Sequence, residues 1–206
     1  MKSFEFDIDE NDIDKFFFII RTKFDVINVL MQSIKYMLIY DYTTRTKITG
    51  KIILKVDKMS RIFFFTEKKY FSISFPFNVI ENNGIKFSSK YISDIDNEIT
   101  SEIVSLLKCN EGNSINCIYE FIEPLLEFTS KNEYIGTLIN ELIFNEDGYL
   151  RYDCDEIHQN AKIHPLHHYD IFYSNHSTFK IGLTDNIEHE KIIDLVNINT
   201  DCHFIN

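Results

Sequence analysis

The chain has 206 residues, 44% of them hydrophobic, and a formal charge of -11, a composition that excludes an intrinsically disordered chain and supplies enough apolar material for a sizeable core. With 6 Gly and 3 Pro there is no low-complexity linker, so one domain over residues 1–206 is expected. The charge is uneven: residues 1–90 carry 15 Lys and Arg against 11 Asp and Glu, and residues 91–206 carry 6 against 21, which marks a basic and an acidic sub-region.

The opening Met1 to Glu10 is acidic and lacks the basic and apolar regions of a signal peptide, so a cytoplasmic location is expected. The longest apolar tract, Phe16 to Ile20, is too short to span a bilayer, and Arg21, Lys23 and Asp25 interrupt its continuation; no membrane partner is expected. Cys109, Cys117, Cys154 and Cys202 match neither a disulfide framework nor paired zinc knuckles, which points to reduced thiols.

In chain order, apolar residues recur at helical spacing from Ile13 to Leu38, predicting a helix over 11–41 with Asn11 or Asp12 as its cap. From Gly50 the period changes to two. Strands are predicted over 51–57, 61–66, 70–75 and 85–87, with Asn82-Asn83-Gly84 as a turn before the last. Between Arg45 and Lys69 eight basic residues oppose only Asp57 and Glu67; this segment is either a solvated strand face docked on the acidic half or a phosphate-tracking surface. Helices are predicted from Ser93 or Asp94 to about Leu107, over 115–128 with a break at Pro124, and over 134–144. Three further strands, 149–153, 166–173 and 178–183, precede a closing helix over 187–196, with residues 174–177 as a hairpin loop. The fold class is therefore α+β, with antiparallel strands at about 50–90 and 149–183, a helical N-terminus and a helical middle.

All seven histidines lie between His158 and His203, and five fall within 158–176. Histidine changes most readily between neutral ligand, base and cation near pH 7, so this run is the expected seat of chemistry. Alternation along the strands sorts it: Arg151 and Asp153 share one face of theirs, His168 and Asp170 one face of theirs, and Lys180 and Gly182 one face of the last. With apolar faces aligned, Arg151, Asp153, His168, Asp170 and Lys180 converge on one polar surface. The bland alternative is a cross-strand salt-bridge set. Two chemistries fit the convergence. His164, His168 and Asp170, with His158 or Cys154, could hold a divalent metal, although the spacing matches no familiar zinc class. Without metal, His168 would act as general acid or base, Asp153 or Asp170 would orient its ring, and Arg151 or Lys180 would hold an anion.

The segments Tyr149-Leu-Arg-Tyr-Asp153, His164-Pro-Leu-His-His168 and Phe179-Lys-Ile-Gly182, ahead of a short apolar helix, resemble an uncharacterised bacterial family with Arg-aromatic-Asp, His-Pro-x-x-His and Arg-Ile-Pro-like strands. The resemblance covers about residues 149–196, and the third motif departs from it at Lys180 and Gly182. The Arg-Tyr-Asp and His-rich pattern is also similar, more loosely, to small toxins of bacterial toxin–antitoxin pairs. The resemblance implies a component of a bacterial antiviral-defence or toxin-type system, partnered by another protein of the same operon. The resemblance adds that Arg151, Asp153, His164 and His168 belong to a recurrent pattern; with Asp170 from the strand faces, these are the expected site residues, acting on nucleic acid or a nucleotide. The competing expectation is a non-catalytic acidic subunit, or an immunity-like partner, that binds another protein. No cofactor is required by either expectation, and a divalent metal is compatible with the first.

Overall fold

The computed structural model describes residues 2–41, 47–56, 58–82, 84–109, 126, 130, 133–160, 162–174 and 178–204. In chain order the elements are strand β1 (Lys2–Asp9), a 3-10 turn (Glu10–Lys15), helix α1 (Lys23–Leu38), strands β2 (Ile48–Val56), β3 (Ser60–Phe65), β4 (Lys69–Ser74), β5 (Asn78–Glu81) and β6 (Ile85–Ser88), helices α2 (Asn97–Cys109) and α3 (Glu133–Phe144), strands β7 (Leu150–Cys154), β8 (His167–Ile171) and β9 (Phe179–Leu183), and helix α4 (His189–Leu195). The protein is α+β with antiparallel sheets. The chain forms two compact units, each built from separated segments, so neither follows the division by charge at residue 90. No helix among the described residues is long and apolar enough to cross a membrane.

The first unit comprises Met1–Asp14, Tyr42–Phe75 and Asp147–Asn206. Its seven strands lie in the order β1-β2-β3-β4-β7-β8-β9, so the two expected strand groups are one sheet joined where β4 pairs with β7, Tyr70 opposite Tyr152. The chain begins with an edge strand rather than a helix: Phe4, Phe6 and Ile8 alternate with Ser3, Glu5 and Asp7, the period that a half-buried strand requires. Gly50 sits where a Cβ would meet the Phe65 carbonyl oxygen at 2.8 Å, so a side chain there would push β2 from β3.

One face of this sheet carries Phe63, Phe65, Tyr70, Leu150, Tyr152 and Tyr169, which form a buried cluster with Met59 and with Ile192 of α4. Helix α4 is further tied down because the Tyr70 hydroxyl donates to the Ile187 carbonyl at 3.0 Å and the Tyr152 hydroxyl to Asn186 Oδ1 at 2.6 Å. Burying each such aromatic contributes on the order of 1.5–3 kcal/mol. The opposite face is apolar from β1 to β4, with Phe6, Ile8, Ile52, Leu54, Ile62, Phe64, Phe71 and Ile73 all buried. It turns polar at β7 and β8.

The second unit comprises Lys15–Asp41 and Pro76–Glu146. Helix α1 packs there against α2, α3 and β6. It starts at Lys23, not near residue 11, because Thr22 and Asp25 form a capping box in which each side chain accepts from the other's backbone N–H. Phe16 and Ile20, expected inside the helix, are buried ahead of it without helical structure. Asp96 sets the start of α2 by accepting the N–H groups of Glu98 and Ile99, both at 2.9 Å, two to three residues beyond the expected Ser93 or Asp94. The turn at Asn82 and Gly84 is present, with Gly84 at a φ of 133° that favours glycine, and it joins β6 to β5, a strand that was not expected. The expected helix over 115–128, apart from residue 126, and most of the loop 174–177 lie outside the described residues.

Candidate functional site

The polar end of the seven-stranded sheet is assembled by register. Across β7, β8 and β9, Arg151 pairs with Asp170 and Asp170 with Lys180, while Asp153 pairs with His168 and His168 with Gly182. On the other side of β7, Asp153 is opposite Lys69 of β4 and Arg151 is opposite Phe71. Side chains that face one another across antiparallel strands are within reach, and an unbroken register keeps them on one face.

Arg151 braces the group. Its Nε donates to Asp153 Oδ2 at 2.6 Å, one terminal nitrogen donates to Asp170 Oδ2, and the other reaches the Tyr149 hydroxyl at 3.4 Å. Burial opposes the charge of Arg151, but Tyr149, Asp153 and Asp170 outweigh it and hold the guanidinium more firmly protonated than usual. A planar fork of this kind fixes two carboxylates at once, which a lysine could not do. Arg151 is thus committed to its neighbours and acts as a positioning residue rather than a free anion binder.

His168 is 1% exposed. Its Nδ1 lies 2.9 Å from the Pro165 carbonyl oxygen, which can only accept, so Nδ1 carries a proton and Nε2 is the ring atom turned into the cluster. Nε2 has no hydrogen-bond partner; it faces Asp153 Oδ2 at 3.9 Å and Asp170 Oδ2 at 4.0 Å. Asp170 Oδ1 is likewise buried without a partner. Buried polar atoms are satisfied in the great majority of cases, so two such atoms in one cluster mark a place where a proton, a water or an ion belongs.

His164 lies beside this cluster. Its ring meets the His168 ring edge-on with centroids 4.5 Å apart, while its Nε2 contacts Asp155 Oδ2 at 3.1 Å. Asp155 also accepts the N–H groups of Ile157 and His158 and contacts His158 Nδ1. The His158 N–H above all, then the His158 and His164 side chains, lower the Asp155 carboxyl to a pKa of about 2. Together these contacts tie down the loop 155–166, which sets Pro165 over Gly182 and His164 over His168.

The structure therefore brings together Arg151, Asp153, His168 and Asp170, with His164 packed on the edge of the group. It separates the other metal ligands considered from sequence. Cys154 packs against the aromatic cluster on the opposite face, and His158 stays in the loop with Asp155. Lys180 is level with Asp170 in the backbone register. Sequence reasoning missed Lys69, which it placed only within a basic segment. Burial lowers the pKa of Lys69 first, and Arg151 lowers it further, against the smaller pull of Asp153 and Asp170, so this ammonium gives up its proton more easily than an exposed one. Its signal was its position at the start of a strand whose neighbour was not evident from sequence. Compared with family models, with curated proteins and with solved structures, the chain matches none of them.

Proposed function

We propose that the protein is an enzyme that hydrolyses a phosphate ester or anhydride bond in a nucleic acid or nucleotide, as a component of a bacterial antiviral-defence or toxin-type system. The observation that carries the reading is the unpartnered Nε2 of buried His168, held by its Nδ1 contact and facing two braced carboxylates. That atom is the ring nitrogen turned toward both carboxylates. It can serve in one of two ways: by taking a proton from an attacking water, or by binding a cation that activates the water. Lys69 supplies the nearby cation for a phosphate oxygen, and Arg151 keeps Asp153 and Asp170 in place through its short bonds. The system-level part of the reading rests on the Arg-Tyr-Asp and His-Pro-Leu-His-His resemblance.

The test is to incubate the pure protein with RNA, DNA and nucleotides, with and without divalent metal. Turnover that His168→Ala abolishes is expected, and a blank across all substrates defeats the enzyme reading. A second reading, a non-catalytic subunit that binds another protein, is favoured by Ile157 and Ile163, which stand exposed on the histidine loop. It requires a stable complex with the product of a neighbouring gene, and fails if the chain remains alone in pull-downs.

A further inference from the structure

We propose that Asp153, His168 and Asp170 form a binding site for a divalent transition ion of the zinc or manganese type. The ion would occupy the polar cluster of β7 and β8, and only its use in catalysis rests on the phosphate-ester reading. Binding itself is argued from the donors.

One nitrogen and two carboxylate oxygens, one from each residue, lie within 4.8 Å of one another. A zinc ion with bonds of about 2.0–2.2 Å separates tetrahedral ligand atoms by roughly 3.4 Å, so the distances of 3.9 and 4.0 Å from Nε2 to the two Oδ2 atoms need draw in by only about half an ångström. Clusters of acidic residues are common without an ion. What distinguishes this one is that His168, almost wholly buried, aims an unpartnered ring nitrogen into it, and that Asp170 Oδ1 is buried there without a partner too. Neither atom has a hydrogen-bond partner, an arrangement that costs free energy while both stay buried.

The surroundings fit a ligand set. The Nδ1–H of His168 is fixed by the Pro165 carbonyl, the outer contact that sets the tautomer and ring direction of a metal-bound histidine. Arg151 engages the Oδ2 atoms and leaves Asp170 Oδ1 unbonded. Arg151 and the nearby Lys69 balance the two carboxylates, so the donor atoms and not a net negative charge draw the ion. One imidazole with two carboxylates is a borderline donor set, which suits zinc or manganese better than a thiolate-seeking ion. The three residues leave coordination positions open for water or a phosphate oxygen, as a catalytic rather than a structural centre requires.

The probe is the metal alone. Purified full-length protein, stripped with chelator and titrated with Zn2+ and with Mn2+ near pH 7.5, is expected to take up one ion per chain, with His168→Ala and Asp170→Asn each abolishing uptake. Because either variant could unfold, X-ray absorption of the zinc-loaded wild-type protein gives an independent reading. It should show an imidazole nitrogen with oxygen neighbours at about 2.0–2.2 Å and no sulfur at about 2.3 Å. Failure to bind stoichiometrically, uptake that survives His168→Ala, or a sulfur shell from a cysteine would each overturn the site. Uptake and turnover are read separately. A stoichiometric ion on a protein that hydrolyses nothing upholds the site and removes the phosphate-ester reading; hydrolysis by a protein that takes up no ion removes the site and leaves that reading standing.

Discussion

Arg151 is the residue on which the polar cluster depends. It is the common partner of two carboxylates that are themselves mostly buried, and without it Asp153 and Asp170, on neighbouring strands, would lose the guanidinium that bonds both. Removing one partner of a buried ion pair costs about 3–5 kcal/mol, because the charge left behind has lost its compensation and cannot regain water. Arg151→Met, which keeps the aliphatic volume, is therefore expected to destabilise the protein by about that amount in denaturant unfolding. Arg151→Lys should recover only part of the loss, since a single ammonium cannot reproduce the fork. Equal stability of all three proteins would show the bonds to be surface pairs of little worth, the bland reading that the sequence also allowed.

At the scale of elements, one place where the histidine loop rests on the sheet is Gly182. A Cβ built on Gly182 would lie 2.9 Å from Pro165 Cγ, so Gly182→Ala must displace Pro165, whose carbonyl orients His168. Overpacking of this kind costs about 1–3 kcal/mol. The loss should shrink when Pro165→Ala is combined with it, a non-additivity that a double-mutant cycle by thermal unfolding would measure; strict additivity would mean that the loop does not rest on β9. The same elements show what was legible in sequence. Strand alternation placed Arg151 with Asp153 and His168 with Asp170 correctly, because a period of two decides the face whatever the neighbour is. It could not supply the neighbour: the pairing of β4 with β7, which brings Lys69 to Asp153, joins segments about 80 residues apart with no local signature. The alternation of Phe4, Phe6 and Ile8 is equally plain, but the acidic residues between them draw attention to charge and away from β1. Helix starts were misplaced where apolar spacing outran the caps; the caps are Thr22 with Asp25, and Asp96, where Asn11 or Asp12 and Ser93 or Asp94 were expected.

At the scale of the molecule, the division by charge is a property of the sequence and not of the fold. Lys47 pairs with Glu10 and Lys51 with Glu5, so part of the basic segment is answered within the first 90 residues, while Lys68 pairs with Glu156 of the acidic half. The sheet crosses the boundary as well. Its β4–β7 ladder is reinforced by the Tyr70–Tyr152 stack at 4.6 Å, by the Cys154 N–H donating to the Lys68 carbonyl at 2.9 Å, and by Arg61 donating to the Gly148 carbonyl. A cut at residue 90 would expose the ladder edge of β4 and leave β7, β8 and β9 as a three-stranded remnant whose aromatic face has lost Phe63, Phe65 and Tyr70. Small sheets without a completed apolar face are marginal in water. Residues 1–90 and 91–206, expressed separately, are therefore expected to lack a cooperative thermal transition, and co-expression is expected to restore one by re-forming the β4–β7 pairing. Circular dichroism on the two fragments and on their co-purified mixture decides the matter: a fragment that unfolds cooperatively alone would mean that its strands need no partner across residue 90.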